Sequence, residues 1–135
     1  MRSQNAYQQY KKVQVETANQ GKLIILMYRG CLKFLRMARM GLEERNMELV
    51  NNALLRAQAI INELMVSLDM EEGGDVADNL SRLYEFMNFQ LVQANIKKDP
   101  QAISIVEELA EELLEAWEEI INRPKKKRPK LSING

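Results

Sequence analysis

Histidine is absent from this chain of 135 residues, and cysteine occurs once, at Cys31. Without histidine the commonest general base and the commonest transition-metal ligand are both missing. The Glu-x-x-His pairs that build di-iron centres inside helical bundles are therefore impossible here. A single cysteine makes neither an internal disulfide nor a thiolate zinc site within one chain. No cofactor is expected. Proline, at three residues, and glycine, at six, are too few to break the chain often. Aromatic residues are scarce at 6%. The longest apolar run, Leu23 to Tyr28, is far too short to span a bilayer, and Met1 to Lys12 has no apolar core of a secretory signal. The chain is read as cytoplasmic, with no membrane insertion and no catalytic pair. An enzyme is not expected.

What the chain has in quantity is Leu, Met, Ala, Glu, Lys and Gln, all strong helix formers. The eight methionines add adaptable apolar surface. Equal numbers of acidic and basic residues hide an asymmetry. Arg123, Lys125, Lys126, Lys127, Arg128 and Lys130 make the end of the chain basic and leave an acidic body. That tail has no interleaved aromatics, and the acidic body opposes phosphate. It reads as a disordered solubilising segment, 123–135, with nucleic-acid binding as its rival.

Four stripes of apolar residues at helical spacing predict four helices. The first is expected to begin near Thr17, whose spacing to Gln20 suits a capping box, and to end at Gly41 or Leu42. The second follows an N-cap at Asn46 and runs to Leu68. Gly73-Gly74 is the clearest break, and Asp75 is the expected cap of the third helix, which ends by Lys98. Asp99-Pro100 opens the fourth, because Asp accepts from free backbone donors and Pro suits the first helical position. Arg123-Pro124 closes it. Helices of this length joined by short turns predict an all-α protein, an antiparallel up-down four-helix bundle over 17–122. Residues 1–16 form a short N-terminal helix or lid carrying Tyr7, Tyr10 and Val13.

Seven glutamates between Ile103 and Ile121 lie opposite the fourth stripe, as a solvated helix face does, and not as a cation site. One segment exceeds what a bundle needs: Leu23-Ile-Ile-Leu-Met-Tyr28 is apolar all round. Something must cover its outer side. Either the lead covers it in cis, or a partner covers it in trans.

The residues Asn5-Ala-Tyr7, Val13, Thr17-Ala18, Gly21-Lys-Leu-Ile-Ile-Leu-Met-Tyr28-Arg-Gly30 and Leu32-Lys-Phe-Leu35 resemble the signature of flagellar secretion chaperones that bind flagellin. So do Ala57-Gln-Ala-Ile-Ile-Asn-Glu-Leu64, Ser67-Leu-Asp69, Asn79-Leu80, Leu83-Tyr84, Met87, Ala94-Asn95, Asp99 and Trp117. The match spans Asn5 to Trp117. It departs at Asn19-Gln20, where the family commonly has Ser-Pro, and at Arg29, where it has an acid. The resemblance implies a cytoplasmic chaperone that binds the disordered C-terminal segment of flagellin, prevents its premature polymerisation and delivers it to the flagellar export gate. It implies a flagellin-binding surface drawn from Tyr7, Tyr10, Val13, Ile24, Ile25, Tyr28, Leu32, Asn79 and Leu83. The lead is expected to lie over residues 23–28 until flagellin displaces it. The rival reading is a self-associating helical adaptor.

Overall fold

The structure, a computed structural model, describes the backbone of residues 2–122 and the side chains of residues 20–122. Four helices account for nearly all of it: α1 (Arg2–Glu43), α2 (Met47–Val66), α3 (Met70–Lys97) and α4 (Pro100–Ile121). Each helix packs on its neighbours in chain order, and α4 closes the ring against α1. The short turns force neighbours to run antiparallel, so the expected up-down four-helix bundle is what forms. Among the described residues no helix is long and apolar enough to cross a membrane.

The turn chemistry explains the boundaries. The Asn46 side chain accepts from the Leu49 amide at 3.1 Å and caps α2, as its sequence position predicts. Asp99 accepts from the Gln101 amide at 2.9 Å, with Pro100 occupying the first helical turn of α4. The turn before it needs a left-handed residue, and Lys98 supplies it at φ 54°.

Three boundaries differ from the sequence reading. The first helix does not start at Thr17. Its backbone is helical from Arg2, because no proline or glycine occurs before Gly21 to stop propagation. Asn19-Gln20, standing where the family commonly has Ser-Pro, leaves the helix unbroken. A lead folded back over residues 23–28 is thus not the arrangement seen. The side chains of Tyr7, Tyr10 and Val13 lie outside the described residues. The second difference is Gly41, which does not end α1. It sits inside the helix, where a Cβ would come within 2.9 Å of Val50 Cγ2 and 3.2 Å of the Asn46 carbonyl oxygen. It is needed for the close approach of α2, and Arg45 takes the positive φ of 58° instead. The third is the start of α3. Asp69, not Asp75, caps it, accepting from the Glu71 and Glu72 amides at 3.2 and 3.0 Å. The predicted break survives inside the helix as a kink at Gly74 (φ 51°, ψ −127°), a conformation for which a side chain is strained. The expected closing signal Arg123-Pro124 and the basic tail lie outside the described residues.

The core is aliphatic with two tyrosines. Leu35, Leu54, Ile61, Leu64, Met87, Leu91, Ile103 and Val106 are fully enclosed around Tyr28 and Tyr84. Cys31 joins them, and burial pushes its thiol up to about 12, so it is a neutral packing group at physiological pH. Two ion pairs tie the basic outer side of α1 to acidic α4: Arg29 with Glu118 at 2.7 Å and Arg39 with Glu107 at 2.8 Å. Glu107 is the buried charged residue of the core margin. Loss of water raises its carboxyl above the ordinary value, and Arg39 opposes that rise only in part.

An upward shift means that folded Glu107 takes its proton before the unfolded chain does. Stability contributed by this group therefore rises as pH falls through the window just above the ordinary carboxylate value. In urea titrations across that window, wild type should gain stability relative to Glu107→Gln as the solution is acidified. A difference that stays flat or shrinks would show that the Arg39 pair dominates.

Candidate docking surfaces of the bundle

The residues selected in the sequence separate into three groups. Ile25, Tyr28 and Leu32 face the core and are 8%, 0% and 3% exposed, so no partner reaches them in this structure. The run 23–28 is apolar all round because it serves two faces. Its inner residues fill the bundle, and Leu23 and Leu26 stand outward at 57% and 60% exposure. Ile24 and Leu83 are half-buried against the core, and Asn79 is exposed. Tyr7, Tyr10 and Val13 belong to the third group, whose side chains are outside the described residues.

Sequence reasoning missed an apolar surface on α2 and α3. The inward stripe of α3 is Tyr84, Met87, Leu91 and Ala94. A second stripe, Phe86, Phe89 and Ile96, starts two residues later, which is about 200° around a helix of 3.6 residues per turn. Phe89 is 58% exposed and Ile96 71%. Val92 and Leu55 extend this surface into a shallow groove of about 350 Å³ between α2 and α3, edged by Asn51, Gln58 and Asn95. Its margins are mostly amides. Asn88 donates to Asn62 across the seam at 2.7 Å, and the Lys98 ammonium donates to Asn51 and Asn95 at one end. The missed signal was visible: a helix with two apolar stripes buries one and presents the other.

A second hollow, also about 350 Å³, opens at the end of the bundle where α1 meets the C-terminal part of α4. Ile24, Leu64, Leu68, Tyr84 and Trp117 wall it, and Gln20, Ser67 and Asp69 stand at its edge. Gly21 permits the closure of this end, since a Cβ there would come within 2.6 Å of the Ile121 side chain. Beside the hollow, the Tyr28 and Tyr84 hydroxyls are 2.5 Å apart. Trp117 stands in the same wall as Tyr84. Either hydroxyl can donate to the other. Both phenols are held above their ordinary range, chiefly by burial, and stay neutral.

Among the described residues no three His, Cys, Asp or Glu side chains gather as a metal site. What the surfaces offer is apolar area with polar margins, which suits capture of an amphipathic segment.

The chain matches the family model described as flagellar protein FliS over residues 3–124. It is 37% identical over 128 residues to the flagellar secretion chaperone FliS of Bacillus subtilis, covering 95% of each chain. It is 40% identical over 116 residues to that of Salmonella typhimurium, covering 82% of this chain and 86% of the relative. The corresponding protein of Vibrio cholerae is 37% identical over 117 residues, covering 84% and 86%.

Removing one hydroxyl of the buried pair leaves the other unserved. Tyr28→Phe should lower unfolding free energy by about 1–2 kcal/mol. The double change Tyr28→Phe/Tyr84→Phe should cost less than the sum of the two singles. Chemical denaturation of the four proteins measures this, and strict additivity would mean that the hydroxyls act independently.

Proposed function

Since the chain belongs to the FliS family of flagellar proteins, a family of secretion chaperones and not of enzymes, we propose that it binds the C-terminal segment of flagellin in the cytoplasm. It holds that segment back from premature polymerisation and carries it to the flagellar export gate. The observation that supports this most is the α2–α3 face, where Leu55, Phe86, Phe89, Val92 and Ile96 expose apolar side chains around an amide-edged groove.

The physical reasoning runs from the cargo. A segment that will pack into a filament core is amphipathic, and its apolar face must be sheltered until assembly. A groove between two antiparallel helices accepts such a segment as a further helix, with anchors at about every third or fourth residue. Ordering a disordered segment costs several kcal/mol, so a wide apolar contact is required, and the second stripe of α3 supplies it. Amide margins provide hydrogen bonds, and Lys98 places one positive charge at one end of the groove. Leu23 and Leu26 extend the apolar surface along α1, and Ile24, Asn79 and Leu83 lie within reach of a wrapping segment. Ile25, Tyr28 and Leu32 act from beneath by fixing the helix that presents those residues. Tyr7, Tyr10 and Val13 serve as contacts of the N-terminal part of α1, either to flagellin or to the gate.

Isothermal titration of the full chain with a flagellin C-terminal peptide tests the reading. Wild type should bind, and Leu55→Ser/Ile96→Ser should bind more weakly. Each replaced side chain removes about 1 kcal/mol of apolar contact, given its partial exposure. Together the two correspond to roughly thirtyfold in Kd. Unchanged affinity in a variant with native circular dichroism would move the flagellin site elsewhere. Absence of binding by wild type would remove the reading altogether.

A further inference from the structure

The hollow at the end of the bundle is not needed for the α2–α3 groove, and its surroundings point to an occupant within this chain. Its wall includes Trp117, and the neighbouring Ile121 packs against Gly21, so α4 finishes directly beside it. Asn122 is the last described residue, and the 13 residues beyond it leave from this end. They begin with the basic run Arg123 to Lys130 and continue Leu131-Ser132-Ile133. The hollow matches both parts. Its interior is apolar, with Ile24, Leu64, Leu68 and the two aromatic rings, and its polar edge carries one acid. Asp69 stands at that edge, and Glu71 and Glu72 follow, exposed, in the same helical turn, with Asp75 one turn on.

We propose that this hollow is the docking site of the chain's own C-terminal segment, with Leu131 or Ile133 entering it and the preceding basic run lying along the acidic start of α3. Length permits this. Eight residues separate Asn122 from Leu131, and the nine steps between their Cα atoms reach at most about 30 Å when extended. Trp117 is only five residues back along α4, or roughly 7.5 Å of helix. Pro124 favours departure from the helical path, because it has no N–H to continue the ladder. Charge complementarity orients the run, and the apolar residue behind it fixes the register. Tethering makes a modest contact sufficient, since a short linker gives an effective concentration of about millimolar. The proposal goes beyond flagellin capture and does not rest on it.

Trp117 is the chain's one tryptophan and lines the hollow, so its fluorescence reports occupancy in the full protein without any label. Acrylamide quenching should be low in wild type at low salt. It should rise about twofold in Leu131→Ser/Ile133→Ser, as a mostly closed site becomes mostly open. The charge-reversed variant Glu71→Lys/Glu72→Lys should give the same rise, with native circular dichroism in both. Salt at 1 M, where the screening length falls to about 3 Å, should raise quenching in wild type and leave the serine variant unchanged. A peptide of residues 123–135 should restore protection to the serine variant only near millimolar concentration. Quenching that ignores Leu131, Ile133 and salt would overturn the proposal. Protection that grows with protein concentration would assign the hollow to a second copy. Protection lost instead in Tyr7→Ser/Tyr10→Ser would assign it to residues 1–19. Either result also overturns it.

Discussion

The bundle depends on Tyr28 being completely enclosed. It lies on α1 and meets Tyr84 on α3, so one hydroxyl pair spans the core diagonal between helices that are not neighbours in the ring. Apolar packing alone sets no unique rotation of a helix about its axis, because one aliphatic side chain replaces another at modest cost. A buried hydroxyl is less forgiving: unserved, it costs more than the bond contributes when made. The pair therefore fixes the rotation of both helices at once. The direction in which every outer residue points follows from that.

Rotation of α1 and α3 decides which apolar side chains stay outside. With Tyr28 inward, Leu23 and Leu26 must project, and with Tyr84 inward, Phe86, Phe89 and Ile96 must. The exposed apolar surface is thus the geometric complement of the core and needs no separate folding device. The ion pairs work in the same sense on the other side. Arg29 and Arg39 on α1 face Glu118 and Glu107 on α4, which sets the register of that seam and leaves it charged. The exposed Arg29–Glu118 pair contributes little stability. The consequence of both pairs is to make the α1–α4 seam a poor place for an apolar partner, whereas the α2–α3 seam, edged by asparagine and glutamine, stays open to one.

Much of this was legible before any coordinates. The caps at Asn46 and Asp99 are local chemistry, complete within four residues, and their side-chain bonds form where the sequence places them. The inward stripes were equally readable, since helical period and residue type agree over many turns. The misplaced boundaries share one cause: a signal permitted a cap without compelling one. Thr17 is a good N-cap only if something ends the helix before it, and no residue between Arg2 and Asn19 does. Asp75 follows two glycines, yet Asp69 lies at the earlier free amides and caps first. Gly41 has the composition of a stop and the location of a contact, and only the position of Val50 distinguishes the two.

The site was less legible because family signatures do not say whether a residue works from the surface or from beneath it. Ile25, Tyr28 and Leu32 belong to the strongest stretch of resemblance, and all three are core. A signature records what a family needs, and a chaperone needs its presenting helix held rigid as much as it needs contacts. Phe86, Phe89, Val92 and Ile96 carry no such pattern, and the sequence reading assigned them no role. They are found by counting: α3 holds more apolar residues than one inward stripe can bury. An excess of this kind on an otherwise polar bundle is a reliable mark of a surface built to be covered, because exposed apolar area is a liability in a protein that never uses it.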